Sequence, residues 1–245
     1  MTTTDPTPPT LTETLARLRG AQKGHARGAP AYSVYVNRRI GRVLAAVAYR
    51  FGLTPNQVTG VSAVHTFAGI ALIATVPPTW WSGVLVAVLL VLGYAWDSAD
   101  GQVARLRGGG SLAGEWLDHF VDAFKIAALH LAVLIGLYRF GDLDEVFLLV
   151  PIGFSIVATV TFFGMILNDL LKGARGVASS HARAGGTFGR SMLLLPTDFG
   201  VLCLVFLLWG ALPVFLTAYG ALFAVSTLFL GAASVKWFRE MRRVD

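Results

Sequence analysis

The chain has 245 residues, of which 55% are hydrophobic and only 14% are charged. Several apolar runs approach the roughly 20 residues that a helix needs to cross a bilayer, which excludes an ordinary soluble globular protein. The net charge of +6 would suit a nucleic-acid partner, but basic loops beside apolar spans explain the same excess through the positive-inside rule. We therefore predict an all-α integral membrane protein and expect no nucleic-acid partner.

The N-terminal part of the chain is polar and then amphipathic. Residues 1–30 are rich in proline, glycine and basic residues, so we predict a largely disordered cytoplasmic segment apart from a candidate short helix at about residues 11–18. In residues 31–52 apolar side chains recur at helical spacing, with arginines on the other faces. This pattern predicts an interfacial amphipathic helix in the headgroup plane, with packing of the helix on protein as the alternative.

A membrane domain at residues 53–238 follows, and a basic cytoplasmic tail at residues 239–245 ends the chain. We predict six transmembrane helices, at about residues 57–77, 81–98, 113–138, 146–168, 193–213 and 215–236. Thr54 and Pro55 suit the N-cap and the first turn of the first span. Since no apolar run precedes about residue 57, we expect this span, rather than a cleavable signal, to direct insertion.

The basic residues predict the orientation of these spans. With six spans, both termini lie on the same side of the membrane. Of the 20 Lys and Arg residues, all but Lys125 and Arg139 fall in segments that would share that side. The positive-inside rule therefore predicts that both termini face the cytoplasm.

Four aspartates, Asp97, Asp100, Asp118 and Asp122, lie near the ends of the second and third predicted spans. A charged carboxylate within a span costs about 2.5–3.5 kcal/mol on insertion scales, so four of them require a counter-charge. Their spacings place each pair on one face of its helix, and two opposed faces would bring the oxygens together. Such a cluster suits Mg²⁺ or Mn²⁺, and interhelical hydrogen bonding between buried acids is the structural alternative.

The aspartates belong to a longer pattern, which reads D-x-x-D-G-x-x-A-R-x8-G-x-x-x-D-x-x-x-D from Asp97 to Asp122. This pattern resembles the signature of the CDP-alcohol phosphotransferase (phosphatidyltransferase) family at eight positions without a gap. The resemblance covers residues 32–140 well. It implies a membrane enzyme of phospholipid biosynthesis that transfers a substituted phosphate group from a CDP-alcohol to an acceptor hydroxyl and releases CMP. We expect CDP-diacylglycerol as the donor.

Carried over position by position, the resemblance makes Asp97, Asp100 and Asp118 ligands of two Mg²⁺ or Mn²⁺ ions. Asp122 would be a further ligand or the general base that takes the proton of the acceptor. His119 follows Asp118 directly, as in members that make choline or ethanolamine phospholipids, and is the second candidate for the base.

The resemblance also assigns a nucleotide pocket, to which two segments would contribute. Its residues would be Asn56, Thr59, Asp97, Gly101, Ala104 and Arg105. Arg105 would hold a phosphate through its guanidinium fork, and Gly114 would leave room for a bulky group. In the loop at about residues 169–192, Lys172, Arg183 and Arg190 are candidate contacts for an anionic acceptor, for phosphate or for lipid headgroups, with topology-setting charge as the alternative.

Two other functions stay open. Residues 32–40 resemble their counterpart in inositol-phosphate-transferring members, so a CDP-polyol donor such as CDP-inositol is the alternative within the family. A cation- or proton-coupled transporter is the alternative of another class, although such a path gains nothing from Arg105 at fixed spacing. The expected partners are the CDP-alcohol donor, the alcohol acceptor and the lipid bilayer. The resemblance further implies a homodimer in the cytoplasmic membrane whose active site faces the cytoplasm.

Overall fold

The computed structural model describes residues 10–20, 28–177 and 185–244, and these residues form helices and turns without a β-strand. The α-helices are α1 Leu11–Gly20, α2 Arg38–Arg50, α3 Pro55–Thr75, α4 Trp80–Leu106, α5 Leu112–Phe140, α6 Leu149–Ala174, α7 Phe188–Leu193, α8 Phe199–Val205 and α9 Leu212–Met241. A π-helical turn at Ser33–Asn37 leads into α2, and a 3₁₀ turn at Glu145–Leu148 leads into α6. The predicted all-α class is confirmed.

Five of the predicted spans are long apolar helices in the described residues. Four of them are α3, α4, α5 and α9, and the fifth is Glu145–Ala174, which contains α6. The remaining predicted span, at residues 193–213, is interrupted by a 3₁₀ turn at Leu195–Thr197, and only Phe199–Leu208 forms an apolar helix. Ten helical residues extend about 15 Å, half the thickness of the hydrocarbon core. The count of six spans therefore stays a prediction.

The N-terminal helices α1 and α2 pack at the end of the bundle that is predicted to face the cytoplasm. Helix α1 includes the candidate helix at residues 11–18, and its Leu18 is buried, while residues 1–9 and 21–27 lie outside the described residues. In α2, the small residues Gly41 and Ala45 face α4. Four large apolar residues of this region are exposed, namely Val36, Ile40, Val43 and Phe51. This arrangement fits a helix lying in the headgroup plane, and that placement stays a prediction.

Helix α3 positions the two aspartate helices, because it packs along both α4 and α5. Its start is set by the predicted Thr54 cap, whose hydroxyl accepts the Gln57 N–H at 3.3 Å while the Gln57 side chain accepts the Thr54 N–H at 2.8 Å. Small residues allow close helix approach: Gly93 on α4 faces Thr66, and Gly136 on α5 faces the Ile73 carbonyl. A side chain at either glycine would push the aspartate helices away from α3.

We predict that labelling of single cysteines will reveal the orientation of the bundle. A cysteine at the exposed Ser111, between α4 and α5, should react with a membrane-impermeant maleimide from the cytoplasmic face. A cysteine at the exposed Asp142, between α5 and α6, should react only from the opposite face. The buried Cys203 should give no background. The reverse labelling pattern would contradict the predicted orientation.

Candidate functional site

The site forms where the aspartates of α4 and α5 face each other. Gly109 ends α4 by donating its N–H to the Ala104 carbonyl at 3.0 Å, and its φ of 137° is a conformation that glycine tolerates. The Ser111 hydroxyl then accepts the Gly114 N–H at 3.0 Å and starts α5. This tight connection sends α5 back beside α4.

Lys125 pairs with one aspartate on each of the two helices of this site. Its ammonium lies 2.5 Å from Asp97 Oδ1 on α4 and 2.7 Å from Asp122 Oδ1 on α5. The lysine side chain is only 6% exposed, so these ion pairs lie in a poorly hydrated region where charges interact strongly. Lys125 thus supplies the counter-charge that the aspartates require, and it joins the two helices.

The other two aspartates complete the cluster. Asp100 is buried, interacts electrostatically with Asp97 and Asp118, and accepts a hydrogen bond from the Thr59 hydroxyl at 2.7 Å. Ligand atoms of Asp118, His119 and Asp122 all lie within 4.8 Å of one another. Sequence spacing alone suggested that the carboxylates would converge, and the structure does bring all four together.

The residues predicted for the nucleotide lie around the same cluster. The Arg105 guanidinium covers Gly101, since a Cβ at that glycine would lie 3.5 Å from the nearest guanidinium nitrogen. A Cβ at Gly114 would lie 3.1 Å from Asn56 Oδ1, so this glycine allows the starts of α3 and α5 to approach. Ala104 lies one residue before Arg105 on the last turn of α4. Their roles toward a nucleotide stay predictions.

The basic residues predicted to contact an acceptor are not gathered with the aspartates. Lys172 on α6 is buried and pairs with Glu240 on α9 at 2.5 Å. Arg190 is exposed on α7, and Arg183 lies outside the described residues. Asp198, another acid near the start of a predicted span, caps α8 at the Gly200 N–H, 2.9 Å away, and accepts the Ser33 N–H at 2.8 Å.

Sequence reasoning missed the link between Lys125 and Asp97. Lys125 lies three residues after Asp122, so spacing within α5 accounts for that pair, but the partner on α4 is 28 positions away. The available signal was a lysine deep in a predicted span, because an intramembrane cation usually has an acidic partner. Because Lys125 pairs with two of the aspartates, the net charge of the cluster is less negative than the four aspartates alone indicated.

A cavity of about 390 Å³ opens beside the aspartates. Asp97, Asp122 and Lys125 form part of its wall, whereas Asp100, Asp118 and Arg105 do not line it. The site therefore has two sides. One side carries the predicted nucleotide residues, and the other leads into the space between α4, α5, α6 and α9.

Comparisons with known proteins agree with this geometry. Phosphatidylinositol phosphate synthase of Corynebacterium glutamicum is 29% identical over 158 residues, which are 64% of this chain and 67% of that protein. Archaetidylinositol phosphate synthase of Pyrococcus horikoshii is 31% identical over 98 residues, 40% of this chain and 47% of that protein. The enzyme from Mycolicibacterium smegmatis, another phosphatidylinositol phosphate synthase, is 32% identical over 84 residues, 34% of this chain and 36% of that protein.

Among solved structures, phosphatidylinositol phosphate synthase of Mycobacterium tuberculosis, in complex with manganese and citrate, superposes with a TM-score of 0.50. The two chains are 22% identical, and the match covers 83% of this chain and 89% of the other. At this identity the likeness establishes a shared fold. The model of one family, CDP-alcohol phosphatidyltransferase, matches residues 52–233 and so includes α3 to α8 and most of α9. This chain therefore belongs to the CDP-alcohol phosphatidyltransferase family.

Proposed function

We propose that this chain transfers the phosphatidyl group of CDP-diacylglycerol to the hydroxyl of an acceptor alcohol, with Asp122 as the general base. Family membership makes it an enzyme that transfers a substituted phosphate from a CDP-alcohol and releases CMP. The transporter alternative is therefore set aside. The observation that carries the residue assignments is the convergence of the four carboxylates, two of which pair with Lys125, with Arg105 near Asp100.

The donor set of this cluster fits hard divalent cations, which prefer carboxylate oxygens. Lys125 contacts one oxygen of Asp97 and one of Asp122, so the second oxygen of each carboxylate is outside the ion pair. We propose that Asp97, Asp100 and Asp118 hold two Mg²⁺ or Mn²⁺ ions and that Asp122 beside them is kept for the acceptor proton. The manganese complex of the Mycobacterium tuberculosis protein supports this assignment. Bound ions would neutralise the phosphate oxygens of the donor.

The residues around the cluster have distinct tasks in this proposal. Thr59 orients Asp100 through its 2.7 Å hydrogen bond. Arg105 would bind a donor phosphate beside Gly101, where a side chain would lie 3.5 Å from the guanidinium. Asn56 and Ala104 would line the rest of the nucleotide pocket.

The chemical step uses Asp122. The acceptor oxygen attacks the phosphorus that carries the diacylglycerol, and the bond from that phosphorus to the oxygen of CMP breaks. Asp122 takes the proton of the acceptor hydroxyl as the new bond forms. Asp122 suits this task because it belongs to the cluster on α5 and also lines the cavity, whereas Asp100 and Asp118 do not line it.

The names of the relatives favour the phosphatidyl donor over CDP-inositol, since phosphatidylinositol phosphate synthases occur among the curated matches. The distribution of basic residues supports an active site at the cytoplasmic face of the cytoplasmic membrane. Family resemblance is the basis for proposing a homodimer.

Release of CMP tests the donor assignment. We expect the purified protein with Mg²⁺ to release CMP from CDP-diacylglycerol, and not from CDP-inositol, when a panel of alcohols is supplied. Arg105→Ala should raise the KM for the donor about tenfold or more, as expected for a lost charged hydrogen bond. Arg107→Ala is the matched control, because Arg107 is exposed and contacts the Gly52 carbonyl. CMP release from CDP-inositol alone would contradict the assigned donor.

A further inference from the structure

The end of α9 that is predicted to face the cytoplasm carries an arginine cluster, formed by Arg239, Arg242 and Arg243. Residues 212–235 of this helix contain no charged side chain, and at about 1.5 Å per residue they extend about 36 Å. That length is enough to cross the hydrocarbon core of about 30 Å. The arginine cluster therefore lies in the headgroup layer or just beyond it.

The acid next to this cluster is already paired with lysines. Glu240 is the one acidic residue among residues 236–244. Its carboxylate lies 2.5 Å from the buried ammonium of Lys172 on α6 and 3.6 Å from the ammonium of Lys236. Within residues 10–20, 28–177 and 185–244, no aspartate or glutamate forms an ion pair with the arginine cluster. Its charge is therefore not neutralised by this part of the protein.

The end of α6 adds a further cation to the same place. Arg175 directly follows α6, is exposed, and donates a hydrogen bond from Nη1 to the Val244 carbonyl at 3.3 Å. A carbonyl oxygen satisfies one guanidinium donor but does not cancel the charge. Like charges gathered at one surface repel one another, so an anion bound between them would be stabilising.

The arginine cluster continues the lipid-facing side of α9. Leu228 and Val235 are seven residues apart, so they lie on the same side of the helix, and they are 75% and 52% exposed. Arg242 follows after another seven residues, and its N–H still donates to the Phe238 carbonyl at 3.1 Å, as in a helix. Trp237, on the opposite side, is buried. The guanidinium of Arg242 therefore follows the side chains that would face acyl chains.

From these observations we propose that the arginine cluster and Arg175 bind the phosphate groups of anionic phospholipids. The acyl chains of such a lipid lie along Leu228 and Val235, and its phosphate reaches the guanidinium groups, whose fork matches phosphate oxygens. Basic clusters directly beyond a membrane helix attract anionic headgroups. Topology-setting charge alone would not require an arginine on the lipid-facing side of the helix. The surface does not include the aspartates, so this inference goes beyond the proposed function.

Lipid titration of the purified protein in neutral detergent, followed by native mass spectrometry, tests this surface. We expect dioleoylphosphatidylglycerol to bind more tightly than dioleoylphosphatidylcholine. The variant with Arg239→Gln, Arg242→Gln and Arg243→Gln should lose about 100-fold in affinity for phosphatidylglycerol, about fivefold for each arginine near a headgroup layer. Its affinity for phosphatidylcholine should not change. The three arginine-to-lysine replacements should retain most of the affinity, because they keep the charge.

A matched control removes three arginines at the same predicted face of the membrane. Arg17→Gln, Arg19→Gln and Arg107→Gln change the net charge equally, at exposed positions of α1 and just after α4, and should leave lipid affinity unchanged. Equal losses in the two triple variants would assign the effect to net charge and overturn the proposal. Equal binding of phosphatidylglycerol and phosphatidylcholine by the wild type would overturn it as well.

Two further measurements complete the test. Thermal unfolding checks the folding of each variant, and the single Arg242→Gln, with an expected loss of about fivefold, serves if the triple variant unfolds. Soluble glycerol 3-phosphate should not displace the lipid. Displacement by glycerol 3-phosphate at the concentrations at which the lipid binds would make this a site for free anions and contradict the proposal. Since no CDP-alcohol is present, this proposal and the proposed function can fail independently.

Discussion

Replacing Asp122 by asparagine is expected to lower turnover by about 10²- to 10⁴-fold, the usual effect of losing a general base. The amide keeps the shape of the carboxyl group but cannot take a proton from the acceptor. Lys125 would still pair with Asp97 at 2.5 Å, so the helices should stay in place. Binding of Mg²⁺ and of the CDP-alcohol donor should therefore persist, and added Mn²⁺ should not restore turnover.

Asp118→Asn is the matched variant, because Asp118 lies one helical turn before Asp122 on α5. As a metal ligand it should lose metal affinity, and a higher Mn²⁺ concentration should recover part of the activity. Calorimetric titration of metal and donor into both variants separates the two roles. Equal losses of metal affinity would make Asp122 a ligand, and His119 would then be the next candidate for the base.

Removal of divalent metal is expected to abolish CMP release, and Mg²⁺ or Mn²⁺ should restore it. The metal-free protein should nevertheless stay folded, because Lys125 neutralises Asp97 and Asp122 across the two helices. Activity and thermal unfolding, measured on the same chelated sample, test both statements. Full turnover in chelator would contradict the assignment of the aspartate cluster to metal.

Lys125→Met should make the fold depend on metal. Without Lys125, two aspartates that are largely buried lose their counter-charge, and breaking a buried pair typically costs about 3–5 kcal/mol. The unfolding temperature of this variant should fall in chelator and recover with Mg²⁺ more than that of the wild type. Lys236→Met is the control, since Lys236 is 51% exposed and lies 3.6 Å from Glu240. A chelator effect no larger than in that control would show that Lys125 is not the required counter-charge.

If these expectations hold, the site works with two kinds of positive charge. The Lys125 ammonium is part of the protein and holds α4 and α5 together, whereas the metal ions would bind together with the nucleotide. This division explains how four aspartates can be kept at the end of two membrane helices without unfolding them. It also leaves one oxygen each of Asp97 and Asp122 outside the lysine pair.

The sequence by itself determined the features that depend on local spacing. The interval from Asp97 to Asp122 indicated the family, and helical periodicity placed Asp118 and Asp122 on one face. The Thr54 cap and the long apolar runs predicted the start of α3 and the five long helices, because capping and hydrophobic length are properties of a single segment.

Only the tertiary structure decided which distant groups meet. Lys125 pairs with Asp97 over 28 positions, and Lys172 pairs with Glu240 over 68 positions. It also showed that the span predicted at residues 193–213 is interrupted around Pro196. The sequence could not predict the apolar cavity at Asp122 either, because its lining depends on how α5, α6 and α9 are rotated and packed against one another. Spacing within one helix specifies a face, but only packing specifies what that face meets.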